Sequence, residues 1–155
     1  MNLDIKIKKE EKMKLLMHTC CAPCSVYCID TLKKEGIEPT IYWYNPNIHP
    51  YMEYKARRDT LKEYAKSLNL DAIFDEYYGL DEFCKNVIGD ISNRCTNYCY
   101  PVRLRKTFEY AKENGYDAVT TTSLSLGAIA ITSWSKSSST KSTNCFSIIS
   151  SMEVI

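Results

Sequence analysis

The sequence predicts an α/β fold built around a parallel β-sheet. Short runs of apolar, β-branched and aromatic residues alternate along the chain with longer segments whose apolar residues recur at helical spacing. Of the 155 residues, 45% are apolar, which is enough to form one hydrophobic core. Strands that alternate with helices usually pair in parallel, because each helix carries the chain back to the starting edge of the sheet.

The first half of the chain contains two predicted strands and two predicted helices. KLLMHT (14–19) is a short apolar strand, and PTIYWYN (39–45) is a second strand rich in β-branched and aromatic residues. Between them, SVYCIDTLKKEG (25–36) has helical spacing and ends at a glycine. Residues 51–70 form an amphipathic helix. We expect its buried face to consist of Met52, Ala56, Leu61, Tyr64 and Leu68.

The second half of the chain repeats this alternation. DAIFDEYY (71–78) is a predicted strand, and LDEFCKNVIG (80–89) is a predicted short helix. Residues 94–115 predict a long helix that ends at Gly115. YDAVTTTS (116–123) is the fourth predicted strand.

Three loops are expected to meet at one edge of this sheet. CCAPC (20–24) follows the first strand, NPNIHP (45–50) follows the second, and TTTS (120–123) closes the fourth. Ligands of parallel α/β sheets bind at the carboxyl ends of the strands. The sequence therefore places its candidate site where these loops meet.

The chain has eight cysteines and a net charge of +1. This charge by itself indicates neither a nucleic acid nor a membrane partner. The first residues lack the apolar core of a signal peptide, and no stretch reaches the roughly 18 apolar residues of a membrane span. We therefore expect a cytoplasmic protein with no membrane partner. Because that compartment is reducing, we expect the cysteines to bind metal or carry out redox chemistry rather than form structural disulfides.

Five of the cysteines form two groups. Cys20, Cys21 and Cys24 form a C-C-x-x-C motif, and Cys95 and Cys99 form a C-x-x-x-C motif. Thiolates grouped in this way bind an iron–sulfur cluster or a tetrahedral zinc ion. Adjacent cysteines rarely bind the same ion, which indicates either two metal centres with a common wall or one ligand beside a reactive thiol.

Two other functions are compatible with these cysteines. A non-catalytic zinc or iron–sulfur module that binds RNA would use both groups. A thiol oxidoreductase would use the C-x-x-C spacing of Cys21 and Cys24 at a helix start. The remaining cysteines are interpreted as ordinary buried residues: Cys28, Cys84 and Cys145.

Two polar regions are candidates for contacting a substrate. YWYNPNIHPYMEYKARR (42–58) combines amides, an imidazole, aromatic rings and cations, which suits a polar ring carried on a phosphate backbone. A structural interpretation, in which His49 caps a turn and the tyrosines belong to the core, also fits. A basic set flanks the later cysteine pair: Arg94, Arg103, Arg105 and Lys106. It could neutralise a metal site, contact RNA phosphates or form a solvated helix face.

The chain changes character after residue 123. Residues 124–155 are dense in serine and threonine, show no clear period and contain no acidic residue before Glu153. This composition fits either a disordered tail or a segment translated out of frame. We therefore divide the chain into an α/β domain over 1–123 and a Ser-rich tail over 124–155.

Three stretches together resemble one protein family. HTCCAPCSVY (18–27), YNPNIHPYMEYKARR (44–58) and RCTNYCYPVRLRKTFEYAKENGYDAVTTTS (94–123) look like the cobalamin-independent epoxyqueuosine reductases of the QueH type. The resemblance implies a Rossmann-like, adenine nucleotide hydrolase-type sheet with helices on both faces. It also implies reduction of epoxyqueuosine to queuosine at the wobble position of tRNA with a queuosine-type anticodon. The electrons would come from a reductant or electron-donor protein that the sequence does not identify.

The resemblance implies a [4Fe–4S] cluster next to a separate, mononuclear iron. The metal ligands that it implies are Cys20, Cys21, Cys24, Cys95 and Cys99. Cys21, Cys95 and Cys99 match the cluster cysteines, and Cys24 matches a further ligand. Cys20 matches the cysteine that serves the neighbouring iron or bridges both centres.

The resemblance and the loop chemistry together give the other expected site residues. The expected catalytic residues are Cys20, His49 and Tyr44, of which the last two are candidate proton donors. The expected substrate contacts are Asn45, Asn47, Tyr54, Arg57 and Arg103.

Two features depart from the pattern that the resemblance implies. Three residues separate Cys95 from Cys99, where two are implied, and one extra residue turns an α-helix by about 100°. The chain also lacks the implied I-S-P-Y-type loop and C-terminal Y-C-G-C-type motif. We therefore expect the C-terminal part of the fold to be missing or frameshifted.

Overall fold

Strands and helices alternate along the chain as predicted. The computed structural model describes residues 12–123 and 132–133. The strands are Leu15–His18 (β1), Thr40–Trp43 (β2), Ala72–Phe74 (β3), Ala118–Thr121 (β4) and Thr132–Ser133 (β5). The helices are Ala22–Lys34 (α1), Tyr51–Ser67 (α2), Leu80–Val87 (α3) and Tyr100–Glu113 (α4), and a π-helical turn, Cys95–Cys99, directly precedes α4.

The sheet has the strand order β3-β2-β1-β4-β5. Strand β1 pairs in parallel with β2 and with β4, and β2 pairs in parallel with β3, whereas β5 is antiparallel to β4. His18, at the end of β1, lies opposite Tyr42 on one side and Thr121 on the other. The predicted α/β fold with a Rossmann-like parallel sheet is therefore confirmed.

Helices cover both faces of the sheet. Alternate residues of a strand point to opposite faces. Leu15 and Met17 pack into one hydrophobic cluster with Leu32 of α1 and Leu61 of α2, whereas Leu16 packs into a second cluster with α4. Strand β1 is thus buried on both sides, as is usual for the central strand of a parallel sheet.

Helix α2 buries part of the face that was predicted. Leu61 is buried, and Tyr64 and Leu68 are partly buried against the same core cluster, as expected. Tyr54 and Ala65 are also buried, whereas Met52 and Ala56 are exposed. The ring of Tyr54 anchors this face, because it packs edge-on against the β2 tryptophan at a centroid distance of 5.7 Å.

The Ser-rich segment lies largely outside the described residues. Of the predicted tail over 124–155, only Thr132–Ser133 is described, as strand β5. The predictions of a disordered or out-of-frame tail and of a buried Cys145 therefore lie outside the described residues. Within 12–123 and 132–133, no helix combines the length and the apolar character that crossing a membrane requires.

Replacing Leu61 by alanine should lower the free energy of unfolding by about 2–5 kcal/mol, because the fully buried side chain leaves a cavity. The matched Met52→Ala variant of the same helix should change it by less than about 0.5 kcal/mol, since Met52 is 72% exposed. Urea unfolding followed by circular dichroism measures both effects. Equal losses in the two variants would contradict the buried face described here.

Candidate metal centre

The carboxyl ends of β1, β2 and β4 meet at one edge of the sheet, because β1 lies between the other two strands. Asn45, after β2, donates from Nδ2 to the backbone oxygen of Thr19 at 3.0 Å. On the other side, the sulfur of Cys20 lies 3.9 Å from Oγ1 of Thr122, after β4. The three loops expected to form a site therefore do come together, and Cys20 lies at the end of the central strand.

The sulfur atoms of Cys20, Cys21 and Cys24 lie within 4.8 Å of one another. The start of α1 brings them together, because Cys21 is the N-cap residue and its sulfur accepts a hydrogen bond from the backbone N–H of Cys24 at 3.3 Å. The positive end of the helix dipole favours a negative sulfur at this position. Three sulfur ligands grouped in this way suit an iron or zinc centre.

Cys21 and Cys24 are joined as a disulfide, with their Cα atoms 5.5 Å apart. Metals bind the thiolate form of cysteine, not the disulfide. The same two sulfurs can therefore serve either as metal ligands or as a redox-active pair, and the disulfide must be reduced before metal binds.

The second cysteine pair lies in a π-helical turn instead of the α-helix expected over 94–115. The backbone N–H of Tyr100 donates to the carbonyl of Cys95, five residues earlier. A π-helical turn is wider than an α-helical one, so it holds one extra residue without breaking the helix. Cys95 is exposed and Cys99 is buried, and burial raises the pKa of the Cys99 thiol, with a smaller effect of the Cys95 thiol in the same direction. Among the described residues, neither belongs to a group of three potential metal ligands within 4.8 Å.

Arg103 connects the two cysteine groups. Its side chain is buried, with Nε donating to the carbonyl of Cys99 at 2.8 Å and Nη1 donating to Oγ of Ser123 at 3.0 Å. Burial lowers the pKa of Arg103, while the thiols of Cys20 and Cys99 act against this shift. The guanidinium is therefore within electrostatic reach of both groups. Its burial favours the counter-charge interpretation over contact with RNA phosphates.

Hydrogen bonds continue from Ser123 to the loop after β2. The backbone N–H of Ser123 donates to Oγ1 of Thr121 at 3.1 Å, and this hydroxyl lies 3.0 Å from Nδ1 of His18. Nε2 of His18 lies 3.2 Å from the carbonyl oxygen of Tyr44. Because a carbonyl only accepts, Nε2 carries the proton and Nδ1 accepts from the threonine. Burial and the charge of Arg103 lower the pKa of His18 to about 3, so its ring is neutral.

The NPNIHP loop packs against the start of α3. Gly79 has a φ of +64°, and a Cβ atom at this position would lie 2.7 Å from Cβ of Pro46, so the contact requires glycine. Nε2 of His49 donates to the carbonyl of Pro46 at 3.0 Å. The His49 ring also packs against Tyr78 and Phe83, with centroid distances of 4.7 and 4.5 Å. This is the turn-stabilising position of the structural interpretation, and the expected role of His49 as a proton donor stays a prediction.

The expected substrate contacts do not all lie at the surface. Asn45 and Tyr54 are buried, the latter within the core cluster that also contains α1. Arg57 lies on the surface of α2 and lines a cleft of about 400 Å³ beside Cys21 and Cys24. Of these residues, Arg57 is therefore the one placed to reach a large substrate.

Tyr44 and Asn47 are partly buried near the same edge. Burial, and to a smaller extent the carboxylate of Asp75, raise the pKa of Tyr44 to about 12, so its hydroxyl keeps the proton at neutral pH. The side-chain oxygen of Asn47 is buried and has no hydrogen-bond partner among the described residues. Both residues can therefore donate or accept a hydrogen bond if a substrate reaches them.

Three residues of the TTTS segment make contacts at the site, although none of them was assigned a role of its own from the sequence: Thr121, Thr122 and Ser123. Their hydroxyl groups join the cysteines, the arginine and the histidine. The run of four hydroxyl residues at the end of a predicted strand was the available signal, but it did not show which neighbours each hydroxyl would contact.

A family model described as "Epoxyqueuosine reductase QueH" matches residues 15–144 of the chain. Curated proteins named epoxyqueuosine reductase QueH are also similar. The Dehalococcoides mccartyi protein is 36% identical over 104 residues, which are 67% of this chain and 57% of that protein. The Haemophilus influenzae protein is 39% identical over 112 residues, which are 69% of this chain and 45% of that protein.

The chain spans about half the length of the curated relatives it matches. The Acinetobacter baylyi protein of the same name is 38% identical over 118 residues, and the match again covers 72% of this chain but 53% of the relative. The matched part of the chain includes both cysteine groups and the NPNIHP loop.

The ring of His49 should titrate below the ordinary histidine pKa of about 6.5, because burial lowers its pKa. NMR spectra of the ring protons against pH measure this, and a His49→Gln variant assigns the signals of the two histidines. The unfolded chain binds this proton at a higher pH than the folded chain. The stability that a neutral His49 contributes is therefore present above about pH 6.5 and is lost as the pH falls toward the folded pKa. A midpoint at or above the ordinary value would contradict the buried position.

Proposed function

Because this chain belongs to the epoxyqueuosine reductase QueH family, we propose that it reduces epoxyqueuosine to queuosine in tRNA. The observation that carries the proposal is the grouping of three sulfur atoms within 4.8 Å at the end of the central strand. Buried Arg103, within electrostatic reach of both cysteine groups, adds a fixed positive charge. Several thiolates beside a buried cation suit a redox-active metal centre.

The cysteines fit the soft-ligand set that a [4Fe–4S] cluster and a neighbouring iron require. In this proposal, Cys21, Cys95 and Cys99 would hold the cluster with Cys24 as a further ligand, and Cys20 would serve the separate iron or both centres. When bound, these centres supply single electrons and a Lewis acid for the epoxide oxygen. A separate reductant or electron-donor protein supplies the electrons.

Conversion of an epoxide to an alkene releases the oxygen as water and takes up two electrons and two protons. The protein's part is to hold a proton near the departing oxygen. Tyr44 keeps its proton at neutral pH, since its pKa is raised to about 12. His49 is the other candidate, but its Nε2 proton is already engaged by the carbonyl of Pro46 and would have to leave that bond.

Arg57 is proposed to bind the tRNA backbone. It lines the cleft beside Cys21 and Cys24, and its Nε donates to the carboxylate of Glu53 on the exposed surface of α2. An exposed ion pair of this kind contributes little stability, so a phosphate can replace the carboxylate at small cost. Buried Asn45 acts differently: it positions the loop by donating to the backbone of Thr19.

Thiol–disulfide exchange is a second candidate function, and the Cys21–Cys24 disulfide at a helix start favours it. This function leaves Cys95 and Cys99 without a role. A zinc or iron–sulfur module that binds RNA without turnover would use all five cysteines. Metal content distinguishes thiol–disulfide exchange, which needs no metal, from the reductase and the RNA-binding module. Metal identity and turnover distinguish the reductase from the RNA-binding module.

The chain purified without oxygen should contain about four or five irons and about four sulfides per molecule. Cys21→Ala and Cys95→Ala should each abolish the visible absorbance of the cluster, because each removes a proposed ligand. Cys84→Ala is the matched control, since Cys84 belongs to neither group and is exposed on α3, not buried as the sequence indicated. Metal and sulfide analysis with visible spectroscopy measures all four preparations.

The same preparations are then given a chemical reductant and tRNA that contains epoxyqueuosine. Only those that hold the cluster should convert the epoxyqueuosine to queuosine. Mass spectrometry of the digested nucleosides detects the product. Zinc without iron would favour the RNA-binding module, and thiol exchange without any metal would favour the oxidoreductase. A Cys21→Ala chain that keeps both the cluster and the turnover would refute the ligand assignment.

A further inference from the structure

We propose that a second cleft, between the end of β2, the π-helical turn and α4, binds an unstacked RNA base next to the nucleotide that is modified. This inference rests on the proposed function. The cleft has a volume of about 300 Å³, and its lining includes the side chains of Tyr44, Asn97, Tyr98, Arg105, Lys106 and Glu109. That volume is at the lower end for small-molecule sites, which fits a single base.

The hydroxyl of Tyr98 is the first feature that indicates a ligand. Tyr98 is 9% exposed, and its hydroxyl oxygen is buried with no hydrogen-bond partner among the described residues. Its ring is fixed by an edge-on contact with Phe83 at a centroid distance of 5.9 Å. Buried polar groups are nearly always hydrogen-bonded, so this hydroxyl is free to form a hydrogen bond with a bound group. The exposed edges of unstacked bases carry acceptors for such a hydrogen bond.

The charge of the cleft is the second feature. Arg105 forms no ion pair in the part of the chain that the structure describes, and Glu109 is the one acidic residue in the lining of the cleft. Nζ of Lys106 lies 5.7 Å from the ring centroid of Tyr44 and 3.9 Å from the carboxylate of Asp75. Cations beside aromatic and amide side chains are the usual composition of sites for single-stranded RNA, because they contact the phosphates while the other groups contact the base.

The position of the cleft connects it to the proposed metal centre. Tyr98 directly precedes Cys99, and α4 carries Arg103 beside the cysteines as well as Arg105 and Lys106 in the cleft. Residues two apart on an α-helix are about 200° apart, so Arg103 and Arg105 face nearly opposite sides of α4. The link between the cleft and the cysteines is therefore the π-helical turn, in which Tyr98 of the cleft neighbours Cys99. In this proposal, an RNA strand whose modified nucleotide lies at the cysteines places an adjacent nucleotide in the cleft.

Fluorescence anisotropy with a labelled RNA hairpin, carrying the anticodon loop of a queuosine-type tRNA, tests this with the full chain. Arg105→Ala should raise the Kd about threefold to tenfold and lower the salt dependence by about one phosphate contact. Tyr98→Phe should raise the Kd by a similar factor of about three to ten with no change in salt dependence, because it removes one neutral hydrogen bond. Lys112→Ala and Tyr116→Phe, at the other end of α4, are the matched controls and should bind as the unchanged chain does.

A second RNA identifies the group that the hydroxyl contacts. Two hairpins are compared, each with an abasic nucleotide on one side of the wobble position. One of the two lacks the base that Tyr98 contacts, so the unchanged chain and Tyr98→Phe should bind it with equal Kd. Thermal unfolding of each variant checks the fold, and Tyr98→Phe removes only a single oxygen. Equal losses for Lys112→Ala and Arg105→Ala, unchanged binding by both cleft variants, or no RNA binding by the unchanged chain would overturn the proposal.

Turnover of epoxyqueuosine tRNA by the unchanged chain separates this inference from the proposed function. If the unchanged chain turns over and the cleft variants bind RNA as it does, the cleft proposal is refuted and the reductase proposal is supported. If the unchanged chain holds iron but does not turn over, and the cleft variants bind RNA more weakly, the cleft proposal is supported and the reductase proposal is refuted.

Discussion

The guanidinium of Arg103 is buried, yet it pairs with no carboxylate in the ranges that the structure describes. Its hydrogen bonds go to two neutral oxygens, the carbonyl of Cys99 and the hydroxyl of Ser123. A buried cation without a nearby negative charge is strongly unfavourable. The thiols of Cys20 and Cys99 lie within its electrostatic reach and can supply that charge when ionised. The requirement for charge balance therefore connects the sheet edge to the π-helical turn.

The edge of the sheet is held by polar contacts that run between strands. His18 binds the hydroxyl of Thr121 on one side and the carbonyl of Tyr44 on the other, and Asn45 binds the backbone of Thr19. His18 stays neutral, because both burial and Arg103 oppose its protonation. Its role is therefore to hold three strand ends in a fixed relation, and not to transfer protons near neutral pH. The cysteine at the end of β1 is placed by these contacts as much as by the hydrophobic core beneath it.

The strands, the parallel sheet and the cysteine groups could be predicted because each leaves a local pattern in the sequence. The buried face of α2 could be predicted only in part, since the spacing of its apolar residues does not show the contact of Tyr54 with another strand. The π-helical turn could not be predicted from the spacing of Cys95 and Cys99, because residues four apart are close on an α-helix as well as on a wider turn. Arg103 and Asn45 look like surface contacts in the sequence, and only the packing of α4 and β2 shows that they are buried. Local periodicity thus predicts which helices and strands form. Whether a single polar side chain is buried or exposed depends on contacts with residues distant in the sequence.

The π-helical turn determines how the second cysteine pair is oriented relative to α4. Asn97, within the turn, donates to the carboxylate of Asp90, which also accepts from Asn93, so the turn is anchored to the chain before it. At its other end the turn continues directly into α4, where Arg103 holds the carbonyl of Cys99. Lengthening or shortening this stretch by one residue would rotate Cys95 by about 100° relative to Arg103. Because the wide turn holds the extra residue, α4 can keep Arg103 beside the thiols. Arg105 and Lys106 of the same helix line the neighbouring cleft.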